Sequence, residues 1–323
     1  MDIPSANKIC VVTGAAGGIG SEICKRLIAA GCEVIGVDCN SFRLQELATD
    51  LNTYSSTRFH SVAMDLSRDE SVKKGVELIQ DILNKSRRDD DFSNDCHLQT
   101  SPAQQRKIFA LINNAAVPTT SPLMTSVAEE RPDRLQEMMN INVGGYHRMV
   151  HYLLPHMVIN GVANSLSGEN TESKDVKSGR GGIIINVSSG AGVLAGPFLG
   201  FYPITKFAIQ GFTDVLRREL SHLGLRVCCV IPGFTKKGMT FSQNIDEASL
   251  LRDSMKHMQQ SMNSKLEWMG QEPSDVARVV VDNCFSSNCG ARVFADQWMM
   301  RFVWPLLLTV QIMCPSLVDR MFL

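Results

Sequence analysis

The chain lacks any imbalance of charge: 32 Lys and Arg stand against 33 Asp and Glu in 323 residues, a formal net charge of -1 at pH 7. Nucleic acid demands a cationic surface, so no such partner is expected. Metal-type cysteine spacing is missing too. The ten cysteines, at positions 10, 24, 32, 39, 96, 228, 229, 284, 289 and 314, include no C-x-x-C and no tight Cys/His cluster. That argues against a bound metal and a disulfide framework, and for reduced thiols in a reducing, cytoplasmic setting. The stretch MDIPSANKICVVTGAAGG has no basic region ahead of a long apolar core, so no signal peptide is expected. No internal repeat is found.

Long apolar runs are also absent, with one near exception. In RFVWPLLLTVQIMCPSLVDRMFL, 17 uncharged residues separate Arg301 from Asp319, interrupted by Pro305, Gln311 and Pro315. This is the short limit for a membrane span. A segment lying in the membrane interface, giving peripheral contact, or a flap over the substrate pocket is expected; packing on its own domain or on a dimer partner is an equal alternative.

What is present is alternation. A hydrophobic content of 44% and a charged content of 20% are globular values. Short β-branched runs, KICVVT, EVIGVD, RFHSVAMD, KIFALINN, GGIIINVSS, LRVCCVIPG and ARVFA, are separated by amphipathic stretches. The helices predicted from the latter run from Ile19 to Ala30, from Phe42, from Glu70, from Arg131 to Val158, from Tyr202, and from Pro273 to Phe285. The pattern predicts an α/β fold, a doubly wound parallel sheet of seven strands in the Rossmann manner with helices on both faces, and ligands at the carboxyl ends of the strands. One domain over 1–297 followed by an apolar tail over 298–323 is expected. Polar insertions at 84–106 and 160–181 each run from a helix into a strand, so both should emerge at the opposite, amino ends.

Directly after the first strand comes TGAAGGIG, with Gly14, Gly18 and Gly20 where strand turns to helix. Glycines there permit a tight turn and let backbone N–H groups and a helix amino terminus approach a pyrophosphate. The second strand ends in Asp38, whose carboxylate can accept from both ribose hydroxyls of NAD and repel the extra phosphate of NADP. No Lys or Arg occupies 15–17 or 39 to offset that repulsion. NAD is therefore expected over NADP, with Arg43 either swinging toward a phosphate or lying on a helix surface. Asp65, in AMDLS, could accept from the adenine amino group, cap the following helix, or do both.

The segment FYPITKF places Tyr202 and Lys206 four residues apart, hence on one face of a helical turn, with Pro203 tolerated in the first turn. A phenol titrating near pH 10 must fall by about three units, or about 4 kcal/mol, to act as a base near neutrality. An ammonium about 4 Å away in an effective dielectric near 20 supplies about that much. A lowered tyrosine pKa is thus expected.

Taken in order, TGAAGGIG, NNAA, NINVGG, INVSS, YPITK and IPG make the chain resemble the short-chain dehydrogenase/reductase family over roughly residues 7 to 296. The resemblance implies Tyr202 as general acid/base, Lys206 as its partner, Ser189 rather than Ser188 as the group polarising the substrate oxygen, and Asn142 as holder of a proton-relay water. It implies a cofactor-binding set of Thr13, Gly14, Gly18, Ile19, Gly20, Asp38, Asp65, Leu66, Asn114, Ala115, Tyr202, Lys206, Pro232, Gly233 and Thr235. The reaction implied is hydride exchange between nicotinamide and an alcohol or carbonyl compound, in a homodimer built on the Tyr202 helix and the one before it.

Two residues depart from the family pattern. Ala116 stands where the family has a glycine, and Lys237 where it has the threonine that holds the nicotinamide carboxamide, leaving Thr235 as a substitute. A substrate lid falls at about 234–270, where Met239, Met255, Met258, Met262 and Met269 suit a bulky lipid-like substrate or plain helix packing. Two other readings share the fold: a dinucleotide-binding regulator without turnover, and a membrane-docked scaffold.

Overall fold

The computed structural model describes residues 8–54, 58–85, 106–118, 123–124, 126–158, 181–236, 244–295 and 309. The expected tail, apart from Thr309, and nearly all of both insertions lie outside these residues.

Seven parallel strands form the sheet: β1 (Ile9–Thr13), β2 (Glu33–Asp38), β3 (Phe59–Ala63), β4 (Ile108–Asn113), β6 (Ile183–Val187), β7 (Arg226–Pro232) and β9 (Arg292–Ala295). Their order is β3-β2-β1-β4-β6-β7-β9. The winding reverses between β1 and β4, which opens a crevice at their carboxyl ends. Two short strands, β5 (Leu123–Met124) and β8 (Asn244–Ile245), pair in parallel as a separate ribbon. Two residues apiece are too few to show a period in the sequence.

Alternation along the strands builds two cores. Cys10, Val12 and Val34 face one side, where α1 (Gly18–Ala29), α2 (Ser41–Tyr54) and α8 (Pro273–Phe285) cover them. Ile9, Val11 and Ile35 face the other, beneath α3 (Asp69–Lys85), α5 (Gly145–Leu153) and α6 (Tyr202–Leu220). Burial on both faces explains why the five inner strands read as near-continuous apolar runs, while the edge strands β3 and β9 are partly exposed. A further helix, α7 (Arg252–Met269), follows β8.

The single helix expected over Arg131–Val158 is corrected. It is α4 (Pro132–Met139), one π-helical turn over Asn140–Gly144, then α5 and a 3-10 turn over Leu154–His156. Arg148 inserts into the ladder: its guanidinium donates to the Asn140 carbonyl at 3.2 Å, the Asn140 side chain at 2.7 Å and the Leu66 carbonyl at 2.9 Å. A side chain taking up helix carbonyls widens the turn locally, and such turns gather at functional sites.

Candidate active site

The glycine turn is built for close approach. Gly14 has φ +65°, and a Cβ there would lie 2.8 Å from the Ala115 Cα; a Cβ on Gly20 would lie 2.0 Å from the Gly14 carbonyl oxygen. Only glycine fits both places, so strand, turn and α1 stay tight and the first N–H groups of α1, from Gly18 and Ile19 onward, open toward the crevice. Thr13 fixes the neighbouring strand end: its hydroxyl accepts from the backbone N–H of Asn114 at 3.0 Å and of Ala115 at 3.1 Å. The Asn114 amide donates back to the Thr13 and Gly14 carbonyls.

Asp38 sits at the end of β2 beside this turn, accepting from the Ala16 N–H at 3.0 Å and the Asn40 N–H at 2.9 Å. Its carboxylate is thereby held against the cradle. Asp65 uses one oxygen for the Ser67 N–H and hydroxyl, at 2.9 and 2.7 Å, shaping the turn before α3. Leu66 is buried against α5, and Arg43 is exposed on α2. This donor set, with two positions that admit no Cβ and a carboxylate at the strand end, fits an adenine dinucleotide.

At the far side of the crevice, β6 and α6 bring the expected catalytic residues together. Tyr202 opens α6, and Pro203 occupies its first turn. Tyr202 is buried, with Met138 and Phe201 packed about it. Ser189 caps a 3-10 turn over Gly190–Gly192, accepting from the Ala191 N–H at 3.2 Å, with its hydroxyl on the side of the phenol. The Lys206 ammonium, 2% exposed, donates to the Val187 carbonyl at 3.0 Å and stands 5.4 Å from the Tyr202 ring centre.

The lowered tyrosine pKa expected from the spacing is overturned. Burial pushes the phenol up to about 12, against a smaller downward pull from the nearby Ser189 hydroxyl. Burial also brings Lys206 down to about 8. The i, i+4 spacing shares a face, but Lys206 points past the hydroxyl to the Val187 carbonyl, and desolvation of both groups outweighs their mutual field.

Asn142 lies on the π-turn with both amide atoms hydrogen-bonded. Its oxygen accepts from the Val117 N–H at 2.8 Å, and its nitrogen donates to the Val117 carbonyl at 3.0 Å and the Thr205 hydroxyl at 3.1 Å. Pro232 ends β7 and Gly233 follows it, and the Thr235 hydroxyl donates to the Gly233 carbonyl at 3.3 Å, with Thr235 bridged to Gln271. Lys237 and Met239 lie outside the described residues. Met255, Met258 and Met262 are buried in the packing of α7.

Sequence reasoning missed the residues that lock α6 to the serine loop. Ser188 donates to the Lys206 carbonyl at 2.9 Å, and Gln210 to the Gly192 carbonyl at 2.6 Å. A Cβ on Gly192 would fall 2.7 Å from the Lys206 carbonyl. Gly192→Ala is expected to push the Ser189 loop off α6 and cut kcat/KM by about a hundredfold, the scale of a small misplacement at a reacting centre. Steady-state kinetics with a matched cofactor-binding measurement would check it.

The family model described as short chain dehydrogenase matches residues 8–86 and 93–248. The chain belongs to that family. An NADPH-dependent 3-dehydrocapnine reductase of Ornithobacterium rhinotracheale is 29% identical over 70% of this chain and 65% of its own length. Human 17-beta-hydroxysteroid dehydrogenase type 6 is 25% identical over 72% of this chain and 59% of its own. The chain thus spans less than two thirds of either curated relative. A diacetyl reductase of Staphylococcus epidermidis is 28% identical over 85% of this chain and 90% of its own. Among solved structures, a short-chain dehydrogenase from Streptomyces avermitilis superposes with a TM-score of 0.68 at 19% identity, covering 96% of this chain and 95% of that one. That likeness establishes the fold. Among the described residues no helix is long and apolar enough to cross a membrane, and no group of His, Cys, Asp or Glu could hold a metal ion.

Proposed function

We propose that the protein is an NAD-preferring oxidoreductase that exchanges a hydride with an apolar, lipid-like alcohol or its ketone or aldehyde. The observation that carries this is the meeting of Ser189, Tyr202 and Lys206 at the crevice whose opposite side holds the glycine cradle and Asp38. A bound nicotinamide dinucleotide supplies the hydride acceptor or donor. The chain's own groups do the rest. Ser189 donates to the substrate oxygen as charge develops there, and Tyr202 takes or gives the hydroxyl proton. Lys206 orients the cofactor ribose, and its positive charge, joined by that of oxidised nicotinamide, supports the phenolate. The Asn142 carbonyl holds the water that carries the proton onward.

An apolar substrate is favoured by relatives such as human retinol dehydrogenase 5, 26% identical over 76% of this chain. Residues 1–297 act as one catalytic domain in this reading. A homodimer forms through α5 and α6, where Ile204, Phe207 and Val215 are exposed. The test is a panel of sterol, retinoid and fatty alcohols and ketones, run with NAD and NADP in parallel. Binding of NADH with no turnover of any member would favour a silent dinucleotide sensor instead.

Cofactor choice is tested separately. Asp38→Ser removes the carboxylate that would repel the NADP phosphate, and a hydrogen bond to a charged group is worth about 1.5–3 kcal/mol. The ratio of kcat/KM for NAD over NADP is expected to fall by about tenfold or more; an unchanged ratio would take the choice away from Asp38.

A further inference from the structure

AMDLS, ahead of α3, and NINVGG, across the π-turn, are far apart in sequence and joined by one side chain. Arg148, on α5, follows Leu66 by 82 residues, yet its Nη1 donates to the Leu66 carbonyl at 2.9 Å and to the Asn140 carbonyl at 3.2 Å, while its Nη2 donates to the Asn140 Oδ1 at 2.7 Å. Asn140 closes the triangle, its Nδ2 donating to the Ser67 carbonyl at 3.0 Å. The Arg148 Nε lies 4.0 Å from Asp69, whose carboxylate accepts from the Tyr152 hydroxyl at 2.8 Å. Glycines let these parts close up. A Cβ on Gly144 would lie 3.0 Å from the Arg148 Nη1, and one on Gly145 would lie 3.0 Å from the Leu66 Cβ.

The groups that Arg148 ties together border the candidate site on two sides. Asp65 and Leu66 belong to the turn expected to meet the adenine, and Asn142 shares the π-turn with Asn140. From Asn142 the bonds run on: its amide donates to the Thr205 hydroxyl at 3.1 Å, which donates to the Tyr202 carbonyl at 2.8 Å.

We propose that Arg148 is a positioning residue that fastens the turn at 65–67 and the π-turn into one unit, so that the adenine half of a dinucleotide also holds Asn142 in place. The inference rests on the dinucleotide reading of the crevice given above. A guanidinium suits the task, because its planar fork offers several N–H donors in fixed directions and satisfies three oxygens on two segments at once; an ammonium is a single point of charge. Segments that share such bonds open together, and a ligand that binds only the closed unit suppresses the opening of every part of it by a factor of one plus the ratio of ligand to dissociation constant.

Hydrogen exchange read by peptide mass spectrometry on the full chain tests this with ADP, which carries the adenine half of the cofactor and lacks the nicotinamide riboside. Calorimetry sets ADP at about ten times its dissociation constant for each protein, so exchange by opening should slow by about tenfold wherever the closed unit extends. In wild type, slowing is expected at 65–67 and equally at Asn140–Gly144. Arg148→Met keeps the stem and removes the donors; ADP should then slow 65–67 alone. Should that variant fail to fold, Arg148→Lys keeps the charge beside Asp69 but cannot span Asn140 and Leu66 together, and the same loss of spread is expected. A residue with a merely structural role would change exchange without ligand and leave the spread intact. Slowing confined to 65–67 in wild type, or spreading to Asn140–Gly144 undiminished in the variants, would overturn the proposal while leaving the dinucleotide reading in place. Wild type that binds no ADP would overturn both.

Discussion

Replacing Tyr202 with phenylalanine should lower kcat by between about a hundredfold and ten-thousandfold, the range of a lost general acid/base, while leaving the fold intact. The ring would keep its place against Met138 and Phe201, and Ser189 would keep its bond to the Ala191 N–H. Only the phenol is removed, so a folded protein that still binds NADH but turns over slowly is the expected result. Retained wild-type kinetics would end Tyr202's role.

The pKa of about 12 gives the same idea a second handle. In cofactor-free protein, Tyr202 should stay protonated as other tyrosines ionise near pH 10, and saturating NAD should bring its titration down by adding a positive charge at the crevice. A folded-state pKa above the unfolded value of about 10 also means that stability is lost as pH climbs from about 10 to about 12. Phenolate absorbance of wild type minus Tyr202→Phe, with and without NAD, would measure the shift. No downward movement on adding NAD would show that the cofactor's charge does not activate the phenol.

What the sequence revealed and what it concealed divide along physical lines. The glycine turn, Asp38 and the Tyr202–Lys206 pair are local patterns, because their geometry is set within one strand, one turn or one helical repeat. The five inner strands were legible for a similar reason: burial on both faces leaves unbroken apolar runs. The π-turn at Asn140–Gly144 was not, because it depends on Arg148 reaching both Asn140 and the Leu66 carbonyl of a distant loop. The raised tyrosine pKa was hidden likewise. Spacing places a cation nearby, but burial by Met138 and Phe201, and the pull of the Val187 carbonyl on Lys206, arise only when remote segments pack. Gln210 carries no motif, Ser188 lies in one that does not show its bond to Lys206, and both roles emerge from the loop they fasten.

Lys206 is costly to the protein without cofactor, and removing it should show that cost. Its folded-state pKa of about 8, against about 10.5 unfolded, is depressed by burial, so the contribution to stability is present above pH 10.5 and lost as pH falls to 8. At pH 7 the wild type carries the whole penalty, about 3 kcal/mol at about 1.36 kcal/mol per unit. Lys206→Met keeps the apolar stem and discards the charge. It also gives up one hydrogen bond, worth about 1 kcal/mol, to a carbonyl that Tyr146 still satisfies at 3.1 Å. The variant should therefore be more stable than wild type by about 2 kcal/mol at pH 7, a rise of several degrees in Tm, with turnover lost. The gap should close to near zero by about pH 9.5, as the wild-type amine sheds its proton in the folded chain. Denaturant melts of both proteins at the two pH values would measure it. A variant that is less stable at pH 7, or a gap that ignores pH, would mean that the ammonium is not held desolvated, and the electrostatic account of the Tyr202 helix would fall with it.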